Sequence, residues 1–290
     1  MLTEQNKKMK KIILFLLAIY GIAANAHQPV MDMAPRWEDG YGFQIRHEHY
    51  GSNKLMNGDS KVDNSSNQKF SINKTWYEGV YTFDKSKRIT FKIPYVQRSK
   101  TSNGIKEENS GFGDLTLAVP LKYYTNYGAF TSNLGVTPQI RLSMGGSSGN
   151  LPISDGSTDV GLSISYSTET PKFYQMFDLF YWINNQGEHQ MNDGNELGVD
   201  INLAYHPIHN NKTNSGVFLM WDLSMRKQEQ GHGSGGQING GSRIYSGPIL
   251  VLYRENTMFR AEYKLPVYEY FEGVSLSRGN ELNVGIGITF

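Results

Sequence analysis

Residues 279–290 alternate without a break. Leu282, Val284, Ile286, Ile288 and Phe290 fall on one face of an extended strand, and Asn283, Gly285, Gly287 and Thr289 fall on the other. The same period recurs where Val160, Leu162, Ile164 and Tyr166 alternate with Gly161, Ser163 and Ser165. It recurs again where Leu197, Val199, Ile201, Leu203 and Tyr205 alternate with Gly198, Asp200, Asn202 and Ala204. Cut at clusters of Gly, Asn, Asp and Pro, the chain beyond residue 40 divides into about twelve strand-length segments. They run over 41–50, 69–83, 88–98, 112–125, 129–144, 157–168, 172–186, 195–206, 215–229, 242–253, 257–271 and 279–290.

Any half-buried strand of a soluble sandwich shows this period; the connections separate the two cases. After odd-numbered segments they are long and polar, such as GSNKLMNGDSKVDNSSNQ, SKTSNGIKEENSG, GGSSGNLPISDG, GEHQMNDG, QGHGSGGQINGG and EGVSLSR. After even-numbered segments they are mostly short, such as DKSKR, NYG, TPK and ENT, with PIHNNKTN longer. An outer-membrane barrel has this rhythm, with an even strand number, short periplasmic turns and longer external loops. The expectation is an all-β, antiparallel transmembrane barrel over 41–290. Closing it leaves no unpaired edge in lipid, and Phe290, ending the last strand, resembles the assembly signal of such barrels. Tyr123, Tyr124, Tyr127, Phe173, Tyr174, Tyr253 and Tyr268 lie near segment ends, where interfacial girdles would place them.

Composition adds a route to the membrane. Lys7, Lys8, Lys10 and Lys11 precede an apolar run from Ile12 to about Ala24, closed by Ala24-Asn25-Ala26: a charged region, a hydrophobic region and a small-x-small site. Residues 1–26 are expected to be a cleaved signal peptide, and 27–40 a short periplasmic segment. Without 1–26, which hold four lysines and Glu4, 24 basic and 26 acidic side chains remain, a net charge of −2 that argues against nucleic acid. Cysteine is absent, so disulfides contribute nothing. The expected surroundings are the outer membrane of a Gram-negative cell, its lipid and its barrel assembly machinery.

Two stretches carry a family resemblance. SGFGDLTLAVPLKYY, with Gly111, Gly113, Asp114 and Leu115, and NGGSRIYSGPILVLY, with Asn239, Gly240, Gly241, Gly247 and Pro248, resemble segments of the outer-membrane family named after the meta-pathway of phenol degradation. The resemblance covers residues 40–290. It implies a barrel passing small, often hydrophobic or aromatic solutes.

On the alternating registers the lumen receives Arg46, Glu48, Lys92, Lys122, Arg141, Asp178, Asp200, Asp222, Arg260, Glu262 and Lys264. Mixed charge can form a selective constriction, as charged rings do in channels. Opposite charges can also pair and plug a narrow barrel, so a blocked structural or surface barrel is the alternative to passive transport. A third reading is a lipid hydrolase, because His232, Ser234, Ser242 and Arg243 resemble the base and nucleophile arrangement of outer-membrane phospholipase A. Ser246, however, stands where that family has its orienting Asn, and the segment is glycine-rich. His27, Met31 and Met33, with His47 and His49, offer imidazole and thioether donors of the kind copper takes. With no second cluster at metal spacing, neither metal nor cofactor is expected.

Overall fold

The computed structural model describes residues 38–149, 151–233 and 236–290, and side chains at 233 and 236–237 are left aside. Residues 1–26, expected to be a signal peptide, and His27, Met31, Met33 and Ser234 lie outside the described residues. Twelve antiparallel strands close on themselves. In chain order they are β1 Gly40–Ser52, β2 Lys69–Asp84, β3 Lys87–Ser102, β4 in three pieces (Ile105–Phe112, Leu115–Ala118, Leu121–Asn126), β5 Thr131–Leu142 and β6 Thr158–Glu169. There follow β7 Phe173–Ile183, β8 Glu196–Asn210, β9 Ser215–Gln228, β10 Gly241–Arg254, β11 Thr257–Leu276 and β12 Glu281–Thr289. Each pairs with its neighbour, and β12 returns to β1 from Gly42↔Thr289 to Tyr50↔Glu281. Past the last ladder residue, Tyr41 N donates to Phe290 O at 2.7 Å and Phe290 N to Tyr41 O at 2.9 Å, with the two rings stacked.

The alternation decides which side chain meets which medium. On β12, Leu282, Ile286, Ile288 and Phe290 are exposed outward while Asn283, Gly285, Gly287 and Thr289 are buried inward. On β6, Val160, Leu162, Ile164 and Tyr166 form the same outward row. A transmembrane strand needs about 9–11 residues, so the 20 residues of β11 and the 16 of β3 run on beyond the bilayer.

Proline marks several of the irregularities, since it cannot donate to a ladder. β4 breaks at Gly113-Asp114 and again before Pro120. β8 bulges between Tyr205 and Ile208, beside Pro207, and β11 slips one residue against β10 at Pro266.

Two expected external loops are instead strand. SKTSNGIKEENSG continues the β3–β4 ladder from Tyr95↔Phe112 to Ser102↔Ile105, and turns on Asn103 and Gly104, both at positive φ. That pair suits a two-residue hairpin turn, so alternation persists beyond the membrane. Likewise β11 continues through Val274 to Leu276 by pairing with a short loop strand, Leu55–Gly58, which leaves only 277–280 as connection.

The girdle expectation also needs correcting. Tyr123, Tyr127, Phe173 and Tyr268 are exposed. Tyr253 is buried in an apolar cluster with Ala204, Phe218, Met220, Ile249, Val251 and Met258, against which Tyr174 packs. The Tyr124 hydroxyl accepts from Arg88 Nη2 at 3.1 Å, and Arg88 is buried. Near a strand end parity still chooses the face, and these three face inward. Their cluster fills the β8–β11 side of the lumen on the short-turn, periplasmic side.

Candidate functional site

Inward residues of consecutive strands enclose a cavity of about 610 Å³. It reaches from Gly42, Lys122 and Met176 toward the periplasmic side to Glu196, Arg243 and Arg278 toward the external loops. Nine cationic and seven acidic side chains line it.

The wall made by β11, β12, β1 and β2 carries two groups of ion pairs joined through the Asn283 amide. Arg46 on β1 reaches Glu78 on β2 at 3.1 Å, Asn283 on β12 at 2.9 Å and Glu48 at 3.5 Å. Glu48, only 5% exposed, also accepts from Trp76 Nε1 at 2.9 Å and from Arg278 at 3.1 Å, with Lys74 at 3.7 Å. Glu78 is held too by the Gln44 amide. Toward β11, Asn283 donates to Glu262 at 3.2 Å and to Glu281 at 2.8 Å. Glu262 meets Arg260 at 3.3 Å and Lys264 at 3.4 Å. Every carboxylate here has a cation beside it, as buried charge requires.

The facing wall is more sparsely paired. Arg226 Nη2 donates to both oxygens of Asp200, at 2.8 and 3.0 Å, a charge-assisted contact. Ser163 donates to Asp178 at 2.6 Å. Arg243 donates to the neutral amide of Gln228 at 3.1 Å. Lys92 stands in register with Glu78, whose oxygens are already engaged by Arg46 and Gln44.

Nine of the eleven residues placed in the lumen from sequence line this cavity: Arg46, Glu48, Lys92, Lys122, Asp178, Asp200, Arg260, Glu262 and Lys264. Arg141 and Asp222 lie off its surface. Arg141, near the external end of β5, pairs with buried Asp159 at 3.3 Å and stacks on Trp182 at 4.4 Å. Asp222 is buried behind Lys264 at 2.9 Å and accepts from Ser224 at 2.6 Å. Sequence reasoning missed Lys74, Glu78, Glu196, Arg226, Arg243, Arg278 and Glu281. Lys74 and Glu78 share the parity of Trp76 on β2, a signal that was present; Arg278 sits in a connection, where period two says nothing.

The other sequence candidates are dispersed. His232 belongs to a short loop strand paired with Asn192, whereas Ser246 is on the outer face of β10, accepting from Trp221 Nε1 at 2.7 Å. His47 and His49 point outward and touch Thr75 and Asn73. Among the described residues no three His, Asp or Glu side chains gather closely enough for an ion.

A closed barrel with an apolar outer belt and a charged lumen defines an outer-membrane β-barrel. The chain belongs to the family described as "Putative MetA-pathway of phenol degradation", whose sequence profile matches residues 56–289. Among solved structures it is similar to an outer-membrane channel from Pseudomonas putida F1, with a TM-score of 0.71 and 16% identity over 93% of this chain and 100% of that one. It is also similar to the translocator domain of the autotransporter NalP from Neisseria meningitidis, with a TM-score of 0.44 and 9% identity over 99% of this chain and 96% of that one. No curated protein matches it by sequence. The first likeness concerns the fold.

Proposed function

We propose that this barrel is a channel for passive diffusion of small solutes through the outer membrane. The observation that carries the reading is the lumenal cavity of about 610 Å³, which extends along the strands between two walls of mixed charge. A cavity on this scale holds a small organic molecule. The lining sets ionic groups beside Trp76 and Tyr245, so an aromatic solute finds ring carbon as well as polar edges. Family membership favours that solute class. In the same reading, outer-membrane lipid surrounds the apolar belt and the assembly machinery engages the strand ending at Phe290.

The blocked barrel is the second reading, favoured by the apolar cluster around Ile249, Val251 and Met258 and by the paired wall. Purified protein in liposomes separates the two. Small uncharged and aromatic solutes should enter, and Arg260→Ser should shift ion preference toward cations, because a fixed positive charge has left a narrow passage. Val199→Ala, on the outward row, should leave permeation unchanged. A wild-type barrel impermeable to every solute, and not opened by Arg260→Ser, would establish the blocked reading.

A further inference from the structure

The periplasmic mouth holds a cluster that the channel reading leaves unused. His206 and His209 lie on β8, three residues apart, a spacing that would put them on opposite faces of an unbroken strand. The bulge between Tyr205 and Ile208 inserts one residue and turns both inward, which is how bulges re-aim side chains. Both rings then converge on one atom. The Tyr253 hydroxyl on β10 is 3.0 Å from His206 Nε2 and 2.8 Å from His209 Nδ1.

The intervening strand makes room for this meeting. A Cβ at Gly216 on β9 would stand 2.5 Å from His206 Nε2 and 2.6 Å from the Tyr253 oxygen. The His206 ring is fixed by Phe218, stacked at 3.9 Å with 9° between planes. Its backbone N–H is tied to Lys172 O at 2.8 Å. A small cavity of about 50 Å³, with Glu169 in its wall, adjoins the three donors.

We propose that His206, His209 and Tyr253 form a binding site for a divalent late transition-metal ion, zinc or copper. Imidazole suits both metals. Tetrahedral ligand atoms about 2.0–2.2 Å from one ion stand roughly 3.4 Å apart, so the two ring nitrogens, now hydrogen-bonded to the Tyr253 oxygen at 3.0 and 2.8 Å, need to draw back by only about half an ångström to share an ion with it. The third donor is a phenol; as it coordinates, its proton passes to solvent. Glu169, in the wall of the same small cavity, makes its potential more negative, and the cavity admits a water molecule to complete the shell.

The test uses the full barrel in detergent micelles, free of any histidine tag and stripped with chelator, with each variant's fold checked by heat-modifiable migration. Calorimetric titration with Zn²⁺ should show one saturable equivalent. His209→Ala, at an exposed position, should weaken it by at least about tenfold, as should His206→Ala, since even outer-shell partners of a metal contribute that much. With Cu²⁺ a phenolate-to-copper charge-transfer band should appear and be lost in Tyr253→Phe. The double variant His47→Ala/His49→Ala, whose rings face outward, should bind as wild type does. Absence of a saturable equivalent in the wild type, or equal affinity in folded His209→Ala, would overturn the proposal.

Discussion

Glu48 shows how a single carboxylate can organise a membrane lumen. It accepts from an indole N–H and faces three cations contributed by β1, β2 and the β11–β12 connection, all while almost fully buried. Removing its charge leaves Arg46, Lys74 and Arg278 with fewer partners in a confined space. Glu48→Gln keeps the shape and the Trp76 bond but loses the ionic part. It should cost about 1.5–3 kcal/mol, the range for hydrogen bonds to charged groups, read as a lower urea midpoint for loss of the heat-modifiable band. An unchanged midpoint would mean that lumenal water compensates the cations as well as Glu48 does. The residue's role was half legible in sequence. Parity alone put Glu48 and Arg46 inside, but their partner Arg278 sits in a connection where no period exists, and its contact with Glu48 spans 230 residues of chain.

At the scale of elements, closure depends on the pairing of β1 with β12. Nine register pairs hold it, extended by the two backbone bonds between Tyr41 and Phe290 and by their stacked rings. Phe290→Ala retains the backbone bonds and removes only the ring. If the ring is what the assembly machinery reads, the variant should accumulate unassembled in the periplasm in cells, yet refold into detergent nearly as well as wild type. Equal failure in both settings would instead assign the ring a packing role against Tyr41. The twelve strands themselves were legible because their alternation and turn residues agree. What period two could not give was phase beyond a bulge. Past Pro207 the parity of β8 flips, and this brings His209 to the face of His206. Nor could it give depth. Arg141 has lumenal parity but lies at the external end of β5, where Asp159 and Trp182 take it up. The hairpin at Asn103-Gly104 read as loop because its polar residues alternate in water, where neither face needs to be apolar.

For the molecule as a whole, the arrangement is a soluble protein turned inside out across half its surface: large apolar side chains outward, charge inward. This makes the two faces of one sheet unequal hosts for the same substitution. Ile164, mid-strand on β6 and 46% exposed, meets the hydrocarbon, whereas Thr137, on β5, lines the cavity opposite Ser163. An arginine at a lipid-facing midplane position costs about 2–4 kcal/mol. Ile164→Arg should therefore lower the unfolding free energy in lipid vesicles by that amount and leave the ion preference of the assembled fraction alone. Thr137→Arg should do the reverse: near wild-type stability, because lumenal water and the Asp178 carboxylate, bonded to the neighbouring Ser163, are at hand, with ion preference shifted toward anions. Folding titrations and single-channel recordings on both variants read the two effects separately. Should Thr137→Arg prove the more destabilising, the lumen would be too tightly packed to accept a side chain, and the space between the walls would not serve as a passage.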